Sequence, residues 1–263
     1  MIKNKKDYIL ITGSSGFIGD YICRSLVKLN YNLILLDIDR LRLLKQKKNL
    51  SFINKAPKVL AFKKDISNEK SIINLLNFIK KKQINISSLI NLAAIDTPPS
   101  KKKVGEKYIS KRNWDRELSV GLTGSYLMIK YFGELMYRKN YGRIINFGSD
   151  LSVISPNQDF YRTSYGNYYK PVSYSVIKHG LVGMTKYFAT LYADKQVTCN
   201  MVSPGPVLND QSNSLVANIK KHTPMKRLAN PKDLIGVILF LISKESCFIT
   251  GQNILVDGGK TLI

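Results

Sequence analysis

Apolar residues fall into short unbroken runs separated by longer stretches in which they return every three or four positions. Runs of strand length occur at "DYILIT", "YNLILLDI", "KVLAFKKDI", "SSLINLAA", "GRIINFGS", "QVTCNMVSPG" and "GQNILVDGG". Between them, "SIINLLNFIKKK", "WDRELSVGLTGSYLMIKYFGELMYRK" and "SYSVIKHGLVGMTKYFATLYA" repeat apolar positions at helical spacing, and "FIGDYICRSLVKLN" continues the first strand's exit as a helix. Nearly continuous apolar strands alternating with helices predict an α/β parallel sheet of about seven strands with helices on both faces. Right-handed crossovers make such a sheet doubly wound. Its ligands bind outside the carboxyl ends of the strands, so the residues that finish each strand carry the functional information.

Composition narrows this picture. With 263 residues, 44% of them hydrophobic, and no linker, composition break or internal repeat, the chain is expected to form a single domain over 1–263. Lys and Arg total 41 against 18 Asp and Glu, a formal net charge of +23. That charge would draw nucleic acid or anionic membrane if it were gathered on one face. The clusters "KNKK", "KQKK", "KKK" and "SKKKVGEK" are scattered instead, and no aromatic-and-basic motif accompanies them. They are read as solvated surface, so neither nucleic acid nor membrane is expected as a partner. Cys23, Cys199 and Cys247 are odd in number and far apart, which suggests no disulfide framework and fits a reducing compartment. "MIKNKKDYILI" has too short an apolar run for a signal peptide and "LIGVILFLI" is too short to span a bilayer, so a soluble cytoplasmic protein is expected. The two histidines, His179 and His222, are not adjacent, and no metal site is expected.

The stretch "ILITGSSGFIGDYI" places Gly13, Gly16 and Gly19 between the first strand and the first helix. Glycines permit a tight turn and close approach of phosphate, and the first helical turn offers backbone N–H groups to a pyrophosphate. Gly13, Ser15, Gly16, Phe17, Ile18 and Gly19 are the candidate cradle. The next strand ends in "LILLDID", which puts Asp37 where a carboxylate accepts hydrogen bonds from the adenosine ribose of a dinucleotide. Its charge repels a 2′-phosphate and Arg40 partly offsets that repulsion, so NAD(H) is favoured and NADP(H) stays open.

In "KPVSYSVIKHG", Tyr174 and Lys178 lie one helical turn apart on one face. An ammonium near a phenol favours the phenolate and suits the pair to proton transfer near neutral pH. The spacing alone also occurs on ordinary surface helices. Ser149, at the end of "RIINFGSD", adds a hydroxyl at the sheet edge that can hold a carbonyl or alcohol oxygen. With a dinucleotide clamp, these groups point to hydride transfer coupled to proton transfer.

Taken together, these residues resemble the short-chain dehydrogenase/reductase family over nearly the whole chain. "KKDIS" resembles that family's adenine-contacting segment, which implies contacts from Asp65 and Ile66. "NLAA" resembles its "NNAG" strand end, with Asn91 and Ala93 along the cofactor. "SPGPV" resembles the segment that meets the nicotinamide, with Pro204, Gly205 and Val207 there, and "FITGQNILVDGG" resembles the closing strand of the shorter single-domain branch. The resemblance implies a Rossmann-like fold in which Ser149 orients substrate, Tyr174 is the catalytic acid/base, and Lys178 lowers the tyrosine pKa and holds the nicotinamide ribose. It also implies a homodimer or homotetramer packed through the helices around Leu118–Tyr137 and Tyr174–Tyr192.

The chain departs from the family pattern in two places. "TGSSGFIG" has two residues between its first glycines, the spacing of the longer branch that modifies nucleotide sugars. Gly121 stands where the family often has an Asn whose main-chain carbonyl helps support a relay water, a carbonyl that glycine retains. A narrower resemblance, to oxidoreductases of the flagellin-modification type, lies at the end of the long run "DLSVISPNQDFYRTSYGNYYKPVS" and in the helix after it. It implies a sugar or nucleotide-sugar substrate from surface-glycan synthesis, met by a loop at about 150–173 and a segment at about 205–228. Phe160, Tyr161, Tyr165, Tyr168 and Tyr169 either stack on a sugar ring or pack the loop down onto the sheet. Other readings stay open: a non-catalytic dinucleotide-binding protein, for which Gly121 speaks, a non-carbohydrate ketone as substrate, and dehydratase or epimerase chemistry through a keto intermediate.

Overall fold

The computed structural model describes residues 7–54, 57–95, 108–166 and 168–263. The clusters "KNKK" and "SKKKVGEK" lie outside the described residues. Strands β1 (Tyr8–Thr12), β2 (Asn32–Asp37), β3 (Val59–Lys63), β4 (Ile86–Asn91), β5 (Gly142–Phe147), β6 (Val197–Pro204) and β7 (Asn253–Val256) form one sheet in the order β3-β2-β1-β4-β5-β6-β7. Every pairing is parallel. The strand order reverses between β1 and β4, where a crevice opens at the carboxyl edge.

The helices are α1 (Phe17–Lys28), α2 (Arg40–Ile53), α3 (Glu69–Lys81), α4 (Lys111–Leu118), α5 (Ser125–Met128), α6 (Glu134–Arg138), α7 (Gln158–Tyr165), α8 (Val172–Tyr192), α9 (Asn213–Lys221) and α10 (Ile235–Ile242). Strand alternation sends side chains into two cores. Ile9, Ile11, Leu33 and Leu35 meet the buried faces of α1, α2 and α10, whereas Leu10, Ile34 and Leu36 meet α3, the α5–α6 region and α8. Asn68, Ser110 and Ser212 cap α3, α4 and α9 by accepting first-turn amides, each cap worth about 1 kcal/mol.

Two of these helices, α2 and α10, lack the apolar period that marks α1 and α3. α2 buries only Leu43, Gln46 and Leu50, and Gln46 is there for polar reasons. Its Nε2 donates to the Ser14 carbonyl at 2.7 Å and to Asp20 at 3.1 Å. α10, "IGVILFLI", is apolar almost all round and so shows no amphipathic stripe. The short α7 and α9 pack their apolar residues against each other and Leu228, across the substrate-side loops. Among the described residues no helix is long and apolar enough to cross a membrane. The three cysteines are free, and burial pushes the Cys23 and Cys199 thiols well above their usual range.

α4, α5 and α6 are joined by π-helical turns at Ser119–Gly124 and Ile129–Gly133 into one rod. Such wide turns inside a helix accompany local packing demands and functional sites. Here the first one brings Gly121 against α8: a Cβ added at Gly121 would sit 2.7 Å from Ile177 Cγ2. Gly121→Asn is therefore expected to cost about 1–3 kcal/mol of stability, the usual range for overpacking. Urea unfolding of Gly121→Asn, Ile177→Ala and the double variant checks this. The double variant should recover part of the loss, and strictly additive effects would show that the two side chains do not collide.

Candidate active site

The exits of β1 and β4 are held together by Thr12, whose Oγ1 accepts from the Leu92 and Ala93 amides, both at 3.1 Å. The chain then turns sharply. Gly13 has φ +63°, and a Cβ there would lie 2.7 Å from Ala93 Cα. A Cβ at Gly19 would lie 2.7 Å from the Ser14 carbonyl oxygen, so α1 sits directly on the glycine turn. Gly16 is the N-cap of α1 and no side chain caps that end. The positive end of the helix thus faces the crevice, as an anion cradle requires. Asp37 is anchored beside it: its two carboxylate oxygens accept from the Ser15 and Asp39 amides, both at 3.0 Å. Each oxygen keeps a lone pair for a ribose hydroxyl. This donor and acceptor set fits a dinucleotide.

From the cradle a cleft of about 430 Å³ runs along the sheet edge. Gly13, Gly16, Phe17, Ile18 and Gly19 line one end, Ser149, Tyr174 and Lys178 the middle, and Pro204, Gly205 and Val207 the far wall. Asp65, Ile66, Asn91 and Ala93 stand outside that wall. Asp65 Oδ1 accepts from the Ser67 amide at 2.9 Å and its hydroxyl at 2.6 Å, turning the chain into α3. Ile66 is buried against Gly124. Asn91 is also a core group: its Nδ2 donates to Asn146 Oδ1 at 2.9 Å, and Asn146 Nδ2 donates to Thr185 Oγ1 on α8 at 2.9 Å. The positions next to Ala93, Leu92 and Ala94, line the cleft instead.

The part of the cleft lined by Ser149, Tyr174 and Lys178 is built by three elements. Ser149 caps a short 3₁₀ turn, Asp150–Ser152, accepting from the Leu151 amide at 3.2 Å while its Oγ donates to Asp150 Oδ1 at 2.8 Å. Lys178 is buried, and its Nζ donates to the Phe147 carbonyl at 2.8 Å, tying α8 to the end of β5. That ammonium lies 5.5 Å from the Tyr174 ring centre. The Ser173 hydroxyl donates to the buried Glu117 carboxylate, fixing the first turn of α8 to α4. The Gly121 carbonyl accepts from Ser125 Oγ at 2.9 Å.

Four further residues, Lys170, Asp150, Lys260 and Asp257, belong to the site or its support without any local sequence signal. Lys170 Nζ lies over the Tyr174 ring at 3.9 Å from its centre. It stands four residues before Tyr174 as Lys178 stands four after, but Pro171 separates it from the helix, so helical spacing does not place it. Asp150 forms a buried ion pair with Lys260 at 2.6 Å, a contact across 110 residues. Asp257 builds the turn that delivers Lys260: burial raises its carboxyl, and hydrogen bonds from Thr261 and the Gly259 amide outweigh this and hold it below the usual range.

Of the loop aromatics, only Tyr161 lines the cleft. Phe160 packs on the His222 ring at 4.8 Å, and Tyr165 accepts from the Ser212 amide at 2.9 Å while packing on Tyr168, which is buried. Tyr169 hydrogen-bonds Arg162. These side chains hold the loop against α9 rather than offering faces to a ligand.

Comparison with known proteins agrees with this geometry. The family model described as enoyl-(acyl carrier protein) reductase matches residues 13–261. The chain is 31% identical over 267 residues to the 3-oxoacyl-(acyl-carrier-protein) reductase FabG of Buchnera aphidicola subsp. Baizongia pistaciae, with 98% of each chain covered. It is 26% identical to the post-translational flagellin modification protein A of Campylobacter coli, over 98% of this chain and 99% of that one. Among solved structures, a short chain dehydrogenase from Leptospira borgpetersenii with bound NAD+ superposes with a TM-score of 0.82 at 29% identity, covering 99% of this chain and 97% of the other. The parallel sheet, the cleft along its carboxyl edge and these full-length matches lead to one conclusion: the chain belongs to the short-chain dehydrogenase/reductase family and is an NAD(P)-dependent oxidoreductase.

Proposed function

We propose that this protein interconverts an alcohol and a ketone on a sugar or nucleotide sugar, using NAD(H). The observation that carries the reading is the convergence of Ser149, Tyr174 and Lys178 in the cleft that begins at the glycine cradle. A bound nicotinamide supplies or accepts the hydride. Ser149 Oγ holds the substrate oxygen, and Tyr174 gives it a proton in reduction or takes one in oxidation. Lys178, buried and oriented by the Phe147 carbonyl, places positive charge near the phenol, favours its ionised form and stands where it can hold the nicotinamide ribose. Glycine retains the main-chain carbonyl, so Gly121 does not by itself argue for a non-catalytic protein.

Asp37 supports NAD(H) over NADP(H), since its anchored carboxylate repels a 2′-phosphate. The full-length likeness to the flagellin modification protein supports a carbohydrate, and Tyr161, Lys170 and Asn209 give the substrate end of the cleft polar groups suited to sugar hydroxyls. Reduction of a 3-oxoacyl thioester is the second reading, favoured by the identity to the acyl-carrier-protein reductase and by Leu151, Leu215 and Ile219 in the same wall. A homodimer or homotetramer is supported by exposed Tyr126, Tyr187 and Leu191 on α5 and α8, aromatic and aliphatic groups that a second copy would cover. We place this assembly in the cytoplasm as a single-domain protein.

Fluorescence titration should show tighter binding of NADH than NADPH, and Asp37→Asn should strengthen NADPH binding by about tenfold, the worth of removing one close like-charge contact. Equal affinities in the wild-type protein would remove the NAD(H) assignment. Tyr174→Phe should reduce turnover at least about 100-fold while leaving NADH affinity unchanged. The assay compares nucleotide sugars with 3-oxoacyl thioesters, and turnover of the thioesters alone replaces the sugar reading with the second one. Light scattering after size-exclusion chromatography should give a dimer or tetramer, and a monomer at micromolar concentration would remove the assembly.

A further inference from the structure

Lys170 is a charged side chain that the family pattern leaves without a role and that the fold nonetheless buries beside Tyr174. It is 8% exposed, and its ammonium sits 3.9 Å from the Tyr174 ring centre, closer than that of Lys178 at 5.5 Å. Its backbone is gripped by Gln158 on α7. The Lys170 amide donates to Gln158 Oε1 at 2.9 Å, and Gln158 Nε2 donates to the Lys170 carbonyl at 3.1 Å. The long loop thus delivers a cation to the face of the tyrosine ring through a two-point clamp.

We infer that Lys170 is a positioning residue for Tyr174, a second cation that holds the phenol ring by its face and lowers the pH at which the hydroxyl gives up its proton. The inference rests on Tyr174 being the acid/base and adds to it the group that tunes it. An ammonium over an aromatic face is attracted to the neutral ring, and the attraction grows when the ring carries the phenolate charge. Lys170 is buried and Tyr174 half-buried, so solvent and salt screen the contact less than they would an exposed pair. An opposite charge at this range lowers an acid's midpoint by roughly 1–3 pH units.

The other charged groups facing Tyr174 do not supply the same effect. Lys178, from α8, is farther from the ring and commits a hydrogen bond to the Phe147 carbonyl. Glu117, from α4, accepts from Ser173 next to the tyrosine and opposes ionisation. Asp150, from the 3₁₀ turn, is balanced by Lys260. Two ammonium groups, Lys170 and Lys178, thus stand within 5.5 Å of the Tyr174 ring centre.

The test is a pH titration of phenolate absorbance in the ultraviolet on the full chain, with Tyr174→Phe subtracted to isolate one tyrosine. The wild-type difference curve should show a midpoint below the free-tyrosine value of about 10. Lys170→Met should raise it by roughly 1 pH unit or more, and Lys170→Arg should return it towards wild type. Gln158→Leu keeps the charge but frees the clamp, and should raise the midpoint by less. Circular dichroism confirms folding, and if Lys170→Met does not fold, Gln158→Leu and Lys170→Arg carry the test. An unchanged midpoint in folded Lys170→Met or in Gln158→Leu, or an arginine variant that behaves like the methionine one, overturns the inference. The readout needs neither cofactor nor substrate, so a chain that failed to bind NADH would sink the hydride-transfer reading without moving this result.

Discussion

Parallel pairing is the constraint on which the rest of the structure depends. When neighbouring strands run the same way, every connection must carry the chain back along the sheet, and helices on both faces are the economical way to do so. All strands then end on one edge. The register makes this concrete: Thr12 stands opposite both Leu36 and Asn91, Asn91 opposite Asn146, and Phe147 opposite Val202. The glycine turn after β1, Ser149 just past β5 and Pro204 to Val207 after β6 are thereby drawn into one cleft, although nearly 200 residues separate the first from the last.

Within that frame, α8 is placed by buried polar contacts more than by its apolar stripe. Lys178 reaches the Phe147 carbonyl, Thr185 receives Asn146, and Ser173 reaches Glu117. A buried charge or amide is tolerated only when its partner is in place, and removing one partner of a buried charged pair typically costs about 3–5 kcal/mol. These contacts therefore fix the helix along its length and around its axis, which sets the direction of Tyr174. Close approach at Gly121 supplies the other coordinate, the distance between α8 and the rod that carries Glu117.

The substrate side obeys a different logic. The loop after β5 has little apolar surface of its own, so its aromatics pack on α9, itself a short helix with few buried groups. Two unlike segments stabilise each other, and the loop then delivers Lys170 to Tyr174 while the C-terminal turn delivers Lys260 to Asp150. Ser149 and Tyr174 each have a partner cation or carboxylate supplied from outside the sheet.

By itself, the sequence determined the order of the strands along the chain, the doubly wound sheet and the helices at α1, α3, α4–α6 and α8, and it named Gly13, Gly16 and Gly19 and the trio Ser149, Tyr174 and Lys178 as candidates. Those features rest on local periodicity and short spacings, which are properties of neighbouring residues. α2 and α10 escaped that reading because the first buries a glutamine and the second is apolar all round, so neither carries an amphipathic stripe. The tertiary structure alone decided that Asn91 and Ile66 turn into the core, that the loop aromatics face α9, that Lys170 lies over the Tyr174 ring and that Asp150 pairs with Lys260. Each of these depends on which distant surface a side chain meets, and burial and charge pairing across 50 to 110 residues leave no mark on local spacing.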